Sequence, residues 1–386
     1  MNNYPTYKLS EIARSTKGKK PKSVSKEKTD GFEIPYVDIK AFEKGIVDNY
    51  TDGENCTFCK PDDVLIVWDG ARCGFVGRGV EGAIGSTLAK ISSDKYTNDF
   101  LFYFLQSKYK VLNSNPRGVG IPHIEPNLLW NFEIPDVDKT TQRAIVIRIE
   151  TLFAELDKAV QHLRTAQQQL KTYRQAVLKA AFEECDSYEK ITNCFDVTGG
   201  LTKNSQREKF PIKMPYLRVA NVYYNRLDLS EIKEIGVQES EIKDKLLKKD
   251  DLLFVEGNGS KEQIGRVAVW DGSIENCSHQ NHIIKGRPLG TMLSKFALYY
   301  FISDFGREQI LKVASSTSGL YTLSTEKVRN LKVPSCSLTE QQRIVKEIES
   351  RLSQATATET YIENALQQAE ALRQSILKKA FSGELV

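Results

Sequence analysis

The sequence predicts an α+β fold in which two mixed α/β globular domains are separated by two long antiparallel coiled-coil helices. Three observations predict this arrangement. A long helical segment occurs twice, each copy follows a matching strand-like segment, and the two halves share short apolar motifs in the same order. Two repeated sequence halves should fold into two similar structural halves. We therefore expect approximate two-fold symmetry within one chain.

The repeated helix occupies residues 140–182 and 339–381, and the two copies align without a gap at an offset of 199. Of the 43 aligned residues, 15 are identical, including the closing RQ, LK and AF pairs. A repeat of half the chain length indicates two equivalent halves and not a solenoid of many short units.

The first copy has apolar residues at both seam positions of a heptad over five repeats, which is typical of a coiled coil. Its a positions are Ile149, Leu156, Leu163, Leu170 and Val177, and its d positions are Ile145, Leu152, Ala159, Ala166, Tyr173 and Ala180. In the second copy the a positions stay apolar, at Ile348, Ala355, Ile362, Ala369 and Ile376. Its d positions include Arg351, Thr358 and Lys379, so we expect partner contacts there.

Each helix would be roughly 65 Å long at a rise of ~1.5 Å per residue. The first helix leaves the first globular domain, and the second leaves the second domain, so a packed pair must run antiparallel. Two separate helices, each on its own domain, are the alternative. We favour the antiparallel pair because one small domain could not cover either apolar stripe.

The segments between the helices repeat with a drifting offset, which indicates insertions between fixed framework strands. The matching motifs are IPYVDI and MPYLRV (34–39, 214–219), KPDDVLIV and KKDDLLFV (60–67, 248–255), and NFEIPDV and NLKVPSC (131–137, 330–336). Short apolar runs between glycine turns predict strands. Residues 98–114 and 293–313 predict amphipathic helices.

Composition is that of an ordinary globular protein, with 40% hydrophobic and 27% charged residues among 386. No apolar run approaches the 18 residues of a membrane span, and no signal peptide is visible. Seven cysteines with irregular spacing favour a reducing, cytoplasmic location. The net charge is only +4, but residues 1–28 contain eight basic and two acidic residues. Any DNA-binding surface must therefore be local.

The order of these motifs, repeated twice with two helices, resembles the specificity subunits of Type I restriction–modification systems. The elements that resemble the family are the IPYV-type strand, the DDVL-type turn and strand, a GxVG-like segment, the NHIIK-type strand, the IP or VP exit, and QRAIV or QQRIV opening each helix. One departure is GSTLAKI (85–91) in the first half where the second has SHQNHIIK (278–285). This difference fits two domains that recognise different half-sites.

The resemblance implies the following domains: target recognition domain 1 at 1–138, spacer helix 1 at 139–183, target recognition domain 2 at 184–337, and spacer helix 2 at 338–386. Each recognition domain would bind one half of a bipartite, asymmetric site in double-stranded DNA. The chain would hold two methyltransferase subunits and, where present, restriction subunits. It would have no catalytic residue, metal or cofactor of its own. S-adenosylmethionine would belong to the methyltransferase, and ATP and Mg to the restriction partner.

Candidate DNA-binding residues in the first half are cations beside glycines and one imidazole. Lysines can neutralise phosphates, and an arginine at a tight turn can present its guanidinium to guanine. A solvated loop or a salt bridge is the alternative for each. The candidates are Lys17, Lys19, Lys20, Lys22, Arg72, Arg78, Arg117 and His123.

In the second half the densest group of base-reading side chains is Gln280, Asn281 and His282, since Asn and Gln can pair bidentately with adenine. A structural turn is the alternative. The further candidates are Lys203, Arg207, Arg218, Asn258, Lys261, Arg266 and Tyr321.

Two other functions have to be weighed. A self-sufficient DNA methyltransferase or nuclease would need a catalytic motif, and neither an NPPY-type motif nor a phosphate-binding GxxxxGK[ST] loop occurs. A protein-binding coiled-coil scaffold would show no DNA sequence preference. A zinc site at Cys56 and Cys59 would need further ligands that the local sequence does not supply.

Overall fold

The structure is a computed structural model that describes residues 4–118, 120–258, 260, 263–317 and 320–385. For Asn258, Ser315–Thr317 and Leu320 it describes the backbone. The chain forms two compact units: unit 1 is Met1–Arg164 with Glu363–Val386, and unit 2 is Thr165–Ile362. Each unit therefore includes part of both long helices, and the domain boundaries predicted at 138, 183 and 337 stay a prediction.

Unit 1 contains a four-stranded sheet in the order β2-β10-β7-β8, a five-stranded sheet in the order β3-β5-β4-β9-β6, and the pair β1-β11. Its strands are β1 (Thr6–Lys8), β2 (Arg14–Lys17), β3 (Val24–Ser25), β4 (Ile34–Val37), β5 (Tyr50–Thr51), β6 (Phe58–Cys59), β7 (Val64–Val67), β8 (Val76–Arg78), β9 (Gly82–Ile84), β10 (Leu88–Ser92) and β11 (Glu133–Pro135). Its shorter helices are α1 (Leu9–Ile12), α2 (Ile39–Lys44), α3 (Asn98–Ser114) and α4 (Pro126–Trp130). The first long helix is α5 (Lys139–Phe182), which continues into unit 2.

Unit 2 contains a four-stranded sheet in the order β13-β22-β18-β20, three-stranded sheets β17-β14-β21 and β19-β24-β23, and the pairs β12-β25 and β15-β16. Its strands are β12 (Tyr188–Lys190), β13 (Phe195–Gly199), β14 (Ile212–Leu217), β15 (Val222–Tyr223), β16 (Arg226–Leu227), β17 (Lys233–Val237), β18 (Leu252–Val255), β19 (Gly257–Asn258), β20 (Val267–Val269), β21 (Ser278–His279), β22 (Ile283–Pro288), β23 (Ser315–Thr317), β24 (Leu320–Thr322) and β25 (Lys332–Pro334). Its shorter helices are α6 (Glu239–Lys245), α7 (Ser294–Ile302), α8 (Asp304–Val313) and α9 (Thr325–Arg329). The second long helix, α10 (Leu338–Phe381), begins in unit 2 and continues into unit 1. Short 3-10 turns occupy Ile191–Asn193, Ser205–Lys209 and Val219–Asn221.

The two units repeat one topology, as the sequence repeat predicted. The central strands β7 and β18 are buried at every position and hold the same place in their four-stranded sheets. The exit strands β11 and β25 pair antiparallel with the first strand of their own unit. The parallel pair β4-β9 corresponds to β14-β21. The continuous apolar runs fit strands covered on both faces.

The long helices run antiparallel within each unit, as predicted. In unit 1 the start of α5, at Ile145 and Ile149, shares a core with Ile376, Leu377 and Ala380 near the end of α10. In unit 2 the roles are exchanged, and the end of α5 at Leu178 and Phe182 shares a core with Ile344, Val345 and Ile348 at the start of α10.

The phenylalanine that closes each long helix inserts into an aromatic cluster of one unit. In unit 2, Phe182 packs edge-on against Phe296 and Tyr300 of α7, with ring centroids 5.4 and 5.5 Å apart. In unit 1, Phe381 packs edge-on against Phe100 and Phe104 of α3, at 5.3 and 5.4 Å. Edge-to-face contacts stabilise such clusters beyond the burial of apolar area. The repeated AF motif is therefore a packing motif.

A buried glutamine fixes the start of each long helix. The Gln142 side chain accepts a hydrogen bond from the Thr97 backbone N–H (2.9 Å) and donates to the Val137 carbonyl (2.9 Å). Gln341, 199 residues later, accepts from the Leu293 N–H (2.8 Å) and donates to the Cys336 carbonyl (2.9 Å). Both side chains are 1% exposed, so these bonds satisfy polar groups that water cannot reach.

The buried seam of α5 differs from the predicted one. The predicted a row is covered, but Ala159, Tyr173 and Ala180 of the predicted d row are exposed. The neighbouring row, which includes Phe153 and Arg174, is covered instead. Residue size does not decide which row is buried, since Ala355 and Ala369 of α10 are 2% and 9% exposed. Both helices therefore bury the same two rows, and Arg351, Thr358 and Lys379 of α10 are exposed.

Two arginines 199 residues apart occupy this additional row. In unit 2, Arg174 donates to Glu359 (2.9 Å) and to the Thr356 hydroxyl (3.1 Å). In unit 1, Arg373 pairs with Asp157, and its guanidinium lies 4.3 Å from the centre of the Phe153 ring. The long aliphatic part of arginine can cover apolar surface while its charged end stays partnered.

The single helix predicted for residues 293–313 is wrong, because α7 and α8 are separated at Ser303. Ser303 is extended (φ −71°, ψ 163°), and its hydroxyl donates to the Tyr300 carbonyl at 2.6 Å. A side chain at Gly306 would lie 2.3 Å from the same carbonyl oxygen. The break therefore depends on a close approach that only glycine permits. Among the described residues, no helix is both long and apolar enough to cross a membrane.

We expect Phe182→Ala to lower the free energy of unfolding of unit 2 by about 3–5 kcal/mol, because it empties a buried aromatic site. Phe381→Ala should act on unit 1 in the same direction but less strongly, since Phe381 is partly exposed. Urea unfolding followed by circular dichroism measures both. The matched control is Leu372→Ala, at a side chain 51% exposed on α10. A Phe182→Ala loss no larger than that of the control would contradict the packing role.

Acid stability should depend on His279, which is fully buried in β21 and donates through Nδ1 to the Ile283 carbonyl (2.9 Å). Burial, with the nearby charge of Lys285, lowers the pKa of His279 to about 3. The unfolded chain binds this proton from about pH 6.5. Stability present above pH 6.5 is therefore lost as the pH falls towards 3, by about 2 kcal/mol between pH 7 and 5.

His279→Asn should remove this share of the pH dependence in urea unfolding measured at pH 7 and pH 5. His162→Asn, at an exposed position of α5, is the control and should leave the dependence unchanged. Equal pH dependence in both variants would show that His279 is not the titrating group.

Candidate nucleic-acid interface

In unit 1, the chain that leaves the central strand β7 meets the segment that precedes the exit strand. Asp69, two residues past the end of β7, forms a β-bridge with His123, and Arg117 forms another with the same residue. The Ile124 N–H donates to the Trp68 carbonyl at 2.9 Å. These contacts bring Lys17, Asp69, Arg117 and His123 together, and we call this group cluster 1.

Asp69 is the acceptor at the centre of cluster 1. Its carboxylate accepts from Lys17 Nζ at 2.9 Å and contacts His123 Nδ1 at 2.7 Å. Burial by itself would raise the pKa of Asp69, but the hydrogen bonds from Lys17 and His123 outweigh it and hold the pKa below its usual value. The cluster borders a surface pocket of about 290 Å³ that Trp68 and Ile124 also line.

The lysine-rich segment 15–23, which we call the basic arm, begins in cluster 1 at Lys17 and continues along the edge of the unit. Gly18 passes so close to the turn between β9 and β10 that a side chain there would lie 2.2 Å from the Gly85 carbonyl oxygen. Lys19 and Lys20 are exposed, and Lys22 lies 3.9 Å from Glu54. Exposed lysines in this arrangement can contact phosphates.

Unit 2 has a corresponding cluster at the end of its central strand. Glu256 follows β18 directly, its N–H donates to the His282 carbonyl (2.9 Å), and its own carbonyl accepts from the Leu323 N–H (2.6 Å). Its carboxylate contacts His282 Nδ1 at 2.9 Å. We call Glu256, Gln280, Asn281, His282 and Tyr321 cluster 2.

Backbone bonds bring the remaining members of cluster 2 to this edge. Leu201 forms a β-bridge with Gln280, and the Asn281 N–H donates to the Leu201 carbonyl at 2.9 Å. Tyr321 pairs with Asn258 between β24 and β19. Lys203 is exposed two residues beyond Leu201. Lys261 lies outside the described residues. Cluster 2 therefore offers amide, imidazole and hydroxyl groups where cluster 1 offers mainly cations.

Two of the three arginines of the first half that we predicted to bind DNA, Arg72 and Arg78, contact acids of their own unit. Arg72 pairs with Glu43 at 2.8 Å and lies 4.0 Å from the centre of the Phe75 ring. Arg78 pairs with Asp99 of α3. Neither contacts a member of cluster 1, and their DNA-binding roles stay predictions.

Three arginines of unit 2 also have internal partners. Arg207 pairs with Glu241 at 2.8 Å, and Arg218 with Glu231 at 3.3 Å. Arg266 is 8% exposed and donates to the Val219 carbonyl at 3.0 Å. Guanidinium groups held in this way stabilise loops, and any DNA contact by them requires exchange of partners.

Sequence reasoning missed the two carboxylates at the centres of the clusters, Asp69 and Glu256. The available signal was an acid within two residues of a fully apolar strand, in VLIVWD and LLFVE. A search restricted to cations and amides passes over acids, although a carboxylate can orient a histidine. Among the described residues, no group of three His, Cys, Asp or Glu side chains is arranged to hold a metal ion.

A family model described as Type I restriction modification DNA specificity domain matches residues 1–163 and 188–368. The chain is 27% identical over 352 residues to the Type I restriction enzyme EcoKI specificity subunit of Escherichia coli (strain K12), which covers 84% of this chain and 75% of that protein. It is 25% identical over 388 residues to the EcoBI specificity subunit of Escherichia coli, covering 91% and 80%.

Solved structures share the fold. One, described as showing complex assembly and conformational transition of the type I R-M system, aligns over 100% of this chain and 99% of its own, with a TM-score of 0.74 and 18% identity. The HsdS subunit from Thermoanaerobacter tengcongensis aligns over 100% and 98%, with a TM-score of 0.59 and 18% identity. Because the family model matches most of the sequence, this chain belongs to the DNA specificity subunits of Type I restriction–modification systems, a non-catalytic family whose partner subunits perform the chemistry.

Proposed function

We propose that the chain binds a bipartite, asymmetric site in double-stranded DNA, with one recognition domain on each half-site. The observation that supports this most directly is the pairing of one repeated topology with two different loop clusters. Because the two units share one topology, each would be placed on its half-site in the same way. Because the side chains of cluster 1 and cluster 2 differ, the two units would recognise different base sequences. Base contacts specify sequence, whereas phosphate contacts set position.

Cluster 1 and the basic arm would supply phosphate contacts and one imidazole, and cluster 2 would supply adenine-type readout through Gln280 and Asn281. We keep all eighteen candidates as the proposed DNA-binding set: Lys17, Lys19, Lys20, Lys22, Arg72, Arg78, Arg117, His123, Lys203, Arg207, Arg218, Asn258, Lys261, Arg266, Gln280, Asn281, His282 and Tyr321.

The chain would hold two methyltransferase subunits through its long helices. Two equivalent positions support this stoichiometry: Tyr173 of α5 and Leu372 of α10 are 199 residues apart and are 40% and 51% exposed. Exposed apolar side chains repeated at equal places suit two copies of one partner. Arg351, Thr358 and Lys379 would add polar contacts. The partners would bring S-adenosylmethionine and, with restriction subunits, ATP and Mg, in the cytoplasm.

Methylome mapping should test the DNA-binding proposal. A host that expresses this chain with its methyltransferase should methylate a split site with two dissimilar halves and an unspecified middle. The same host without the chain should lack that methylation. A single uninterrupted motif, or methylation that persists without the chain, would contradict the proposal.

The alternatives predict other outcomes. Robust DNA methylation or cleavage by the purified chain alone would indicate a self-sufficient enzyme. A random-duplex selection performed with the methyltransferase present, and yielding no sequence preference, would indicate a protein-binding scaffold.

Charge placed at one exposed apolar position should remove one methyltransferase. We expect Tyr173→Asp and Leu372→Asp each to shift the complex from two bound methyltransferases to one at protein concentrations near the dissociation constant, because a buried unpaired charge opposes association. Native mass spectrometry counts the subunits. Ser353→Asp, at another exposed position of α10, is the control. Two subunits bound to both variants as tightly as to the control would exclude this surface.

A further inference from the structure

Both clusters contain the same chemical pair, a carboxylate beneath an exposed histidine. In cluster 1 the Asp69 side chain is 18% exposed and that of His123 46%. In cluster 2 the Glu256 side chain is 27% exposed and that of His282 53%. In each pair the contact is made through Nδ1, at 2.7 and 2.9 Å. The carboxylate is therefore the less exposed partner of each pair, and the pair does not use Nε2 of the imidazole.

The two histidines come from different segments of the fold. His123 belongs to the segment before the exit strand β11. Its topological counterpart in unit 2 is Thr322, because the β-bridge between Asp69 and His123 is equivalent to the strand pairing of Gly257 with Thr322. His282 precedes β22. Its counterpart in unit 1 is Thr87. The Thr87 carbonyl accepts a hydrogen bond from the Trp68 N–H, as the His282 carbonyl accepts one from the Glu256 N–H.

The carboxylates are likewise not equivalent. The backbone hydrogen bond from Ile124 to Trp68 corresponds to the one from Leu323 to Glu256, so Trp68 is the counterpart of Glu256. The next residue in each unit is Asp69 and Gly257, so these two are also counterparts. Each unit thus folds without the pair that the other unit uses at that place. The repeated topology does not require either pair. The presence of a carboxylate–histidine pair in both clusters is therefore better explained by function than by folding.

We propose that Asp69 and Glu256 are positioning residues that orient His123 and His282 to accept a hydrogen bond from an exocyclic amino group of adenine or cytosine, one in each half-site. This inference rests on the proposed function. With the carboxylate accepting from Nδ1–H, Nε2 of a neutral imidazole is an acceptor. In the major groove the matching donors are adenine N6 and cytosine N4. A covered carboxylate fixes the ring before DNA arrives, which lowers the ordering cost of the contact.

In cluster 1, a second contact to the carboxylate favours this role. Lys17 Nζ also donates to Asp69, at 2.9 Å, so the negative charge beneath His123 is paired with a cation and repels phosphates less. In cluster 2 the neighbouring Gln280 and Asn281 precede His282 on the same loop. The two histidines would therefore have different neighbouring side chains, which suits the recognition of dissimilar half-sites.

The test uses the full chain in complex with its methyltransferase subunits and a library of random double-stranded DNA. The variants His123→Thr and His282→Thr introduce the residue that already occupies the equivalent place of the topology in the other unit. Each should reduce the preference at one base pair by about five- to tenfold, in its own half-site alone. His162→Thr is the control and should change neither half-site.

The carboxylates are tested by Asp69→Ala, Asp69→Asn and the double variant with His123→Thr, with the Glu256 series as the parallel set. Asp69→Ala should lose the same preference as His123→Thr, and the double variant should lose no more than either. Asp69→Asn should retain much of it, because the amide oxygen can still accept from Nδ1–H. The salt dependence of binding should stay constant in the histidine variants, since they remove no proposed phosphate contact.

Unchanged half-site preferences in the histidine variants would overturn the inference, as would equal loss in both halves or a reduced salt slope. If instead the unmodified complex selects no bipartite site, the proposed function itself has failed. The two failures are therefore distinguishable in one experiment.

Discussion

The insertion of the closing phenylalanine of each long helix into an aromatic cluster is the interaction on which the rest of the structure depends. Phe182 enters the cluster of α7 in unit 2, and Phe381 enters that of α3 in unit 1. Each helix also begins in a core that contains a buried glutamine, so both of its ends are held by packed side chains. The identical residues at the ends of the repeat are explained by this packing.

A consequence of fixing the helices in this way is that the loops at the ends of the central strands are free to differ. The buried strands β7 and β18 and the exit strands keep their pairing in both units, while the residues just beyond β7 and β18 do not correspond in chemistry. Asp69 and Glu256 are the clearest case. Burial of apolar strands maintains the scaffold, and short polar segments at its edge can change without loss of the core.

Much of the fold followed from the sequence because a repeat of 43 residues and continuous apolar strands are strong signals. The antiparallel helices and the α+β class are confirmed. The seam was displaced because periodicity cannot distinguish a short alanine that faces solvent from one that packs. The break at Ser303 depends on a backbone contact with Gly306, and such contacts between distant atoms leave no periodic trace. Which residues meet at clusters 1 and 2 depends on long-range strand pairing, so the sequence named Lys17 and His123 but not the carboxylate between them.

The central claim is that each globular part specifies one half-site independently of the helices that hold it. It is tested most directly by a chain in which residues 187–335 are replaced by a second copy of residues 5–136. Phe182 should then pack against a second copy of Phe100 and Phe104, as Phe381 does in unit 1. Methylome mapping with this chain should yield a split site whose two halves have the same sequence. Retention of the original, dissimilar second half would contradict the account.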